Sequence, residues 1–378
     1  MNDSRVNDTR QRASRRDLFF IPATVVLTIV FLGGISEGLA HWIYPSRDGD
    51  TCTIHDAVMG TRFKQNCTSE QKVPEGPWTQ NFYNDCGSRS PFQCSPKPKD
   101  GLRIVIFGNS ISQGSFIPYD DTYGSRVATE LTKRCGQPVD VQNVARPTYT
   151  WKKIVMDLDE ALALNPSVAI TTVMPFDLGS DPAQQAVGNP NNEALSLQEI
   201  MTSGSRALYV AKDFFYRNSE IFANLYLHYG EKANFLRPPF SAFWQSRLAA
   251  YDELLGKMAE KADSQKVPLV LVYVPQQAQA VLLGMKRLPQ GVDPRAFSEA
   301  LAAVAARHGI YYVDTSEAFG RFSNPTDLYY RVNGHPSSAG HAVIAKAVVT
   351  QLLKTDRGPF QSCRSPTSDV SGNSARFP

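Results

Sequence analysis

Two short segments carry the residue types of a nucleophile and its base. Gly108-Asn109-Ser110-Ile111 follows the apolar run LRIVIF (Leu102–Phe107), and a chain leaving a buried parallel strand turns at such a point toward a helix. A serine there is presented at the carboxyl edge of the sheet. Asn333-Gly334-His335-Pro336 stands directly before the last helical pattern of the chain. A loop histidine so placed meets the serine across the top of the sheet. Ser110 can then attack an acyl carbonyl while His335 takes and returns the proton. Either residue alone has an ordinary reading, a turn serine or a surface histidine. Their joint placement points to chemistry.

Bringing the two together requires a sheet with helices on both faces. The apolar run at 102–107 has the character of a buried parallel strand, and further strands are expected at 139–144, 167–174, 267–274 and 310–314. Helical patterns fall between them at 123–133, 151–164, 246–264 and 297–308, with a last one at 337–353. This alternation predicts a three-layer α/β/α sandwich around a mostly parallel sheet of about five strands, over residues 101–354. An insertion interrupts it at about 179–243, where GSDPAQQAVGNPNN precedes an aromatic-rich helical stretch, Ser205 to Tyr229. Its stripe of Leu208, Phe214, Phe215, Phe222 and Leu225 is expected to be helix packing, with a ligand groove as the alternative. Residues 44–100 read as a loop-rich extension and 355–378 as a flexible tail.

The N-terminus sets the compartment. Residues 1–17 carry Arg5, Arg10, Arg12, Arg15 and Arg16, and residues 18–35 (LFFIPATVVLTIVFLGGI) hold no charge. This is expected to be a single transmembrane helix after a cytoplasmic tail, with Trp42 and Tyr44 at the interface and the body in the periplasm. A cleaved signal ending at Gly38-Leu39-Ala40 is the alternative. Cys52, Cys67, Cys86, Cys94, Cys135 and Cys363 all follow the segment, as disulfides in an oxidising compartment require. Local order pairs Cys52 with Cys67 and Cys86 with Cys94, leaving Cys135 for Cys363. No C-x-x-C pair, H-E-x-x-H or Gly-rich phosphate loop is present, so neither metal nor organic cofactor is expected. Hydrophobic residues at 42% exclude a disordered chain. A net charge of +3, from 39 basic and 36 acidic residues, argues against nucleic acid as a partner.

At Gly108-Asn109-Ser110-Ile111, and again at His335-Pro336-Ser337 with Gly340-His341, the sequence resembles the SGNH hydrolases, also called the GDSL-like lipase and acylhydrolase family. The resemblance covers about residues 101–178 and 266–352. It implies a flavodoxin-like fold, with Ser110 as nucleophile and backbone oxyanion donor and His335 as general base. Counting from Asn143, the family's second-block glycine position holds Thr148, whose backbone N–H is the implied second oxyanion donor. The third block, G-x-N-D in the family, reads Met174-Pro175-Phe176-Asp177. Phe176 thus replaces the asparagine that completes the oxyanion hole, and one such donor is worth roughly 2.7 to 4 kcal/mol. Asp177 is expected to cap or stabilise the loop.

Relatives carry an aspartate two or three residues before the histidine, where this chain has Asn333 and Val332. Asn333 can orient the imidazole as an amide. Asp327 can serve instead if the loop TDLYYRVNGH folds back, and a dyad is the third arrangement. His341 is expected to pack or cap. Pro-Lys-Pro-Lys with RIVIFGNSISQG looks like membrane-tethered members found with bacterial cell-surface polysaccharides. That likeness implies an acylated, chiefly acetylated, carbohydrate as substrate, with envelope polysaccharide assembly proteins as partners. The implied activity is that of a serine esterase or O-acyltransferase. The alternative is a degenerate SGNH-fold protein that binds glycan or scaffolds assembly at the membrane.

Overall fold

The computed structural model describes residues 15–95, 97, 101–147, 151–179, 204–354 and 359–363. The first fourteen residues, Thr148, the polar loop after Gly179 and the tail beyond Cys363 lie outside them. The chain divides into two units, Met1–Pro45 with Leu195–Ala211, and Ser46–Ala194 with Lys212–Pro378.

In the first unit the apolar segment expected at 18–35 belongs to a longer helix, α1 (Arg15–Ile43). Its stretch Phe19–Ile43 has a mean hydropathy of 2.2 and is long and apolar enough to cross a membrane. A signal sequence near an N-terminus has the same character. Toward its end the Glu37 carboxylate accepts the N–H groups of Arg206 (2.6 Å) and Ala207 (3.0 Å) and the Ser205 hydroxyl (2.8 Å). An anion at the first turn of a helix satisfies donors that have no partner inside it.

The second unit opens with two antiparallel hairpins, β1 (Thr53–Asp56) with β2 (Gly60–Phe63) and β3 (Cys67–Gln71) with β4 (Thr79–Tyr83). The extension expected to be loop-rich holds these two short hairpins among its loops. The inward side chains of β3 and β4 include Ser69, Gln71, Thr79 and Asn81, all buried, so the strands show no apolar alternation. Their polar groups pair with one another: Asn81 Nδ2 donates to Gln71 Oε1 (2.8 Å), and the Tyr83 hydroxyl to Asp50 (2.6 Å). Disulfides join Cys52 to Cys67, Cys86 to Cys94 and Cys135 to Cys363.

The main sheet holds β5 (Leu102–Phe107), β6 (Val139–Asn143), β7 (Val168–Val173), β8 (Leu269–Tyr273) and β9 (Tyr311–Asp314), all parallel, in the order β6-β5-β7-β8-β9. Side chains alternate between two cores. Val105, Phe107, Ala169 and Leu271 face one, closed by α4 (Ile154–Ala163), α8 (Ala242–Ser264) and α10 (Ala296–Arg307). Ile104, Ile106, Ile170 and Val272 face the other, closed by α3 (Tyr123–Cys135) and α11 (Ser338–Lys354). With both faces covered, the central strands β5, β7 and β8 are largely apolar on both sides, which is why their runs were visible in the sequence, whereas the edge strand β6 buries Asp140, Gln142 and Asn143. The chain also forms the short helices α2 (Ser110–Gln113) and α5 (Pro175–Gly179), the insertion helices α6 (Arg206–Tyr216) and α7 (Ser219–Tyr226), and α9 (Gln277–Gly284).

The insertion departs from the expected continuous packing stripe. Leu208, Phe214, Phe215 and Leu225 are 41%, 68%, 58% and 51% exposed, and Phe222 alone of the five is buried. The helix ends at Tyr216, and Asn218 starts a new one by accepting the Ile221 N–H at 3.1 Å. A 3.6-residue period carried across that break joins residues that share no face.

Cys135 ends α3, while Cys363 sits buried in the second core beside Phe360. The bridge spans 228 residues. Replacing both cysteines by serine should lower unfolding stability by roughly 5 kcal/mol in the chain-entropy model. Urea denaturation with the other two disulfides intact measures this. A midpoint unchanged from wild type would contradict it.

Candidate active site

Ser110 opens α2 immediately beyond β5. The turn demands glycine at 108, where φ is +108° and an added Cβ would lie 2.5 Å from Thr171 Oγ1. Asn109 caps the helix through Oδ1, which accepts the Ser112 N–H at 2.9 Å and the Thr172 hydroxyl at 2.7 Å. Its Nδ2 donates to Asp177 Oδ2 at 2.8 Å, and the same oxygen accepts the Met174 N–H at 2.8 Å. Asp177 therefore ties the loop after β7 to the serine turn. Its burial outweighs those two donors and raises its pKa to about 7. From β6, Asn143 Nδ2 donates to the Ser112 carbonyl at 2.9 Å.

A further hold on this turn comes from the stapled extension. The buried Arg89 guanidinium donates to the carbonyls of Gln113 (3.0 Å), Gly114 (2.7 Å) and Ile117 (2.6 Å). Arg89 lies between the bridged Cys86 and Cys94. Sequence reasoning missed it, because an arginine in a polar segment reads as a surface charge until its carbonyl partners are known.

His335 Nε2 stands 2.7 Å from Ser110 Oγ, and His335 Nδ1 stands 2.6 Å from Asn333 Oδ1. The amide oxygen can only accept, so it holds the Nδ1–H tautomer and leaves the Nε2 lone pair for the serine hydroxyl. The structure thus aligns Ser110, His335 and Asn333. Asp327, the alternative partner, is turned away, with its carboxylate 2.6 Å from Arg331 Nη2. Thr148 falls outside the described residues. His341 is buried and accepts the Tyr123 N–H at 3.1 Å, a packing role.

The His335 side chain is half-buried, with the Phe116 ring edge-on at 5.6 Å. Burial lowers its pKa to about 4. An imidazole with that pKa is neutral, and competent as a base, throughout the physiological range. The acid limb of kcat/KM should therefore appear near pH 4, since activity falls as pH drops through the pKa of a base. A profile measured from pH 3.5 to 8 checks this, and a limb near 6.5 would contradict it.

Above these residues lies a cavity of about 430 Å³. Tyr216, Phe222, Tyr226 and Tyr229 from the insertion form an aromatic wall, and Phe176 lies on the rim, 57% exposed. Gln277, the first residue of α9, also lines it. Its side chain is buried, and Nε2 has no hydrogen-bond partner among the described residues. Neither the wall nor Gln277 was found from sequence, because both depend on how insertion and sheet edge meet.

The geometry agrees with comparisons to known proteins. A model of the GDSL-like Lipase/Acylhydrolase family matches residues 106–343, from the end of β5 into α11. No curated protein matches the chain. Among solved structures it is similar to TesA, at 16% identity over 67% of this chain and 98% of that one, with a TM-score of 0.37. It is also similar to a lipase/acylhydrolase from Enterococcus faecalis, at 14% identity, 66% and 95% coverage and a TM-score of 0.39. A third is the acetyl xylan esterase AlAXEase, at 11% identity, 66% and 98% coverage and a TM-score of 0.38. With more than half of its length matched, this chain belongs to the GDSL-like lipase/acylhydrolase family and is a hydrolase of that kind.

Proposed function

We propose that the protein is a serine esterase or O-acyltransferase acting on O-acyl esters, chiefly acetyl, of cell-envelope or exopolysaccharide glycans. The observation that carries this reading is the line Ser110 Oγ, His335 Nε2, His335 Nδ1, Asn333 Oδ1, with both contacts under 2.8 Å. Ser110 Oγ forms a bond to the ester carbonyl carbon as its proton passes to His335 Nε2. The carbon–alkoxide bond then breaks, His335 returns the proton to the leaving alcohol, and the acyl group stays on Ser110. Water or a sugar hydroxyl, deprotonated by the same nitrogen, releases it as acid or as a new ester. The backbone N–H groups of Ser110 and Thr148 serve as oxyanion donors in this scheme.

The aromatic wall supports a sugar-bearing alcohol, since tyrosine rings offer flat apolar faces with polar edges. The arginine-rich start and α1 support anchorage in the inner membrane with the body in the periplasm, where acylated envelope glycans are found. Labelling with a fluorophosphonate probe, together with acetate release from an acetylated oligosaccharide, tests the reading. Adding an unacetylated acceptor separates transfer from hydrolysis. A protein that neither labels nor releases acetate would sink the proposal.

A further inference from the structure

Glu75 belongs to the extension, remote in sequence from both halves of the site, yet its carboxylate reaches the His335 loop. Oε1 accepts the backbone N–H of Val332 and that of Asn333, each at 3.1 Å, and Oε2 lies 3.4 Å from Val332 N. These are the residues that lead into Gly334-His335. Hydrogen bonds from backbone N–H to a carboxylate are among the stronger ones a loop can make. With the Asn333 N–H fixed, its side chain is aimed so that Oδ1 meets His335 Nδ1 at 2.6 Å.

The turn carrying Glu75 is itself held in place. The Gly76 N–H donates to the Val73 carbonyl at 3.1 Å, and Lys72 Nζ donates to the Gly76 carbonyl. A Cβ at Gly76 would come within 2.8 Å of Val73 Cγ2 and 3.2 Å of the Tyr330 ring. Glycine is what lets the turn lie against that loop. Val73 packs with Phe116, Ile117 and Tyr330, and the Tyr330 hydroxyl donates to the Phe116 carbonyl at 3.0 Å. The ring of the same Phe116 stands edge-on to His335.

We propose that Glu75 is a positioning residue for the reaction, acting through Asn333 to keep His335 in the tautomer that offers Nε2 to Ser110. The stapled extension is then a working part of the site. This rests on the acyl-transfer reading of Ser110 and His335. Glu75 touches no reacting atom. Its hold matters because the neutral Asn333 oxygen attracts the imidazole N–H less strongly than a carboxylate does, so more of the orientation must come from the backbone.

The test uses the full chain with Glu75→Ala, Glu75→Gln, Asn333→Ala and the double variant Glu75→Ala/Asn333→Ala. On p-nitrophenyl acetate, Glu75→Ala should lower kcat by about 10- to 100-fold, the scale of a misplaced catalytic group, with KM within about twofold. Glu75→Gln keeps one oxygen able to accept both N–H groups and should recover most of the rate. In the Asn333→Ala background, Glu75→Ala should cost less than about twofold more. Losses that multiply, or a glutamine variant as slow as alanine, overturn the proposal. A second readout needs no turnover: the hydrogen-bonded His335 Nδ1–H proton resonance should persist in Glu75→Gln and vanish in Glu75→Ala. Its survival in Glu75→Ala also overturns the proposal. Glu75→Leu, which keeps bulk in the turn, serves if the alanine variant does not fold. If wild type shows neither turnover nor probe labelling, the acyl-transfer reading fails, while the resonance still decides the role of Glu75.

Discussion

Ser110→Ala and His335→Ala should each lower kcat on an activated acetyl ester by about 10⁴- to 10⁶-fold, and the double variant should lose little more. The two side chains form one device: the hydroxyl proton must leave as the Oγ–carbon bond forms, and the nitrogen that takes it sits 2.7 Å away. Removing either member removes the step, so the effects are grossly non-additive. What survives is oxyanion stabilisation and substrate binding, which alone accelerate acyl transfer by roughly 10³ to 10⁴ over water. Steady-state kinetics of the three variants, with probe labelling of each, provides the measurement. Losses that multiply would mean that the residues serve separate steps. Wild-type activity equal to that of Ser110→Ala on a broad panel of acyl esters would place any chemistry elsewhere.

The serine and histidine could be found from the sequence because each is attached to an element with a strong signal. Ser110 follows β5, in which Arg103 is the one residue that is not apolar, and His335 precedes the long helix α11. The choice between Asn333 and Asp327 could not be made, because composition does not say which way a loop folds. In the structure Glu75 holds the Asn333 backbone and Arg331 pairs with Asp327. Both partners lie outside any motif.

The hairpins of the extension were hidden for a related reason. A strand that buries serine, threonine, glutamine and asparagine against like groups leaves no hydrophobic period to read. In the insertion a warning was present: Asn218 is a favoured N-cap residue, and reading it as one would have broken the stripe into α6 and α7. On either side of that break Tyr216 and Phe222 line the cavity. Function here is assembled from segments of weak sequence signal around two residues of strong signal.

Phe176→Asn should raise kcat by about 10²-fold, the second large effect expected of this site. In the family's third block this position carries an amide that donates to the oxyanion, and such a donor contributes roughly 2.7 to 4 kcal/mol to the transition state. Here the position holds a ring that lines the cavity and is more than half exposed, as the second residue of α5. Exchange for a smaller polar side chain opens no core cavity and should cost little stability. The backbone at 176 is already held in place, since the adjacent Asp177 is fixed by Asn109 and the Met174 N–H. The new amide would thus start from a rigid support, as an oxyanion donor must. Separate measurement of kcat and KM decides what the ring does. A gain confined to kcat identifies a missing donor. A rise in KM on an acetylated oligosaccharide, with kcat unchanged, would show that the ring binds the sugar and that the oxyanion hole is complete without it.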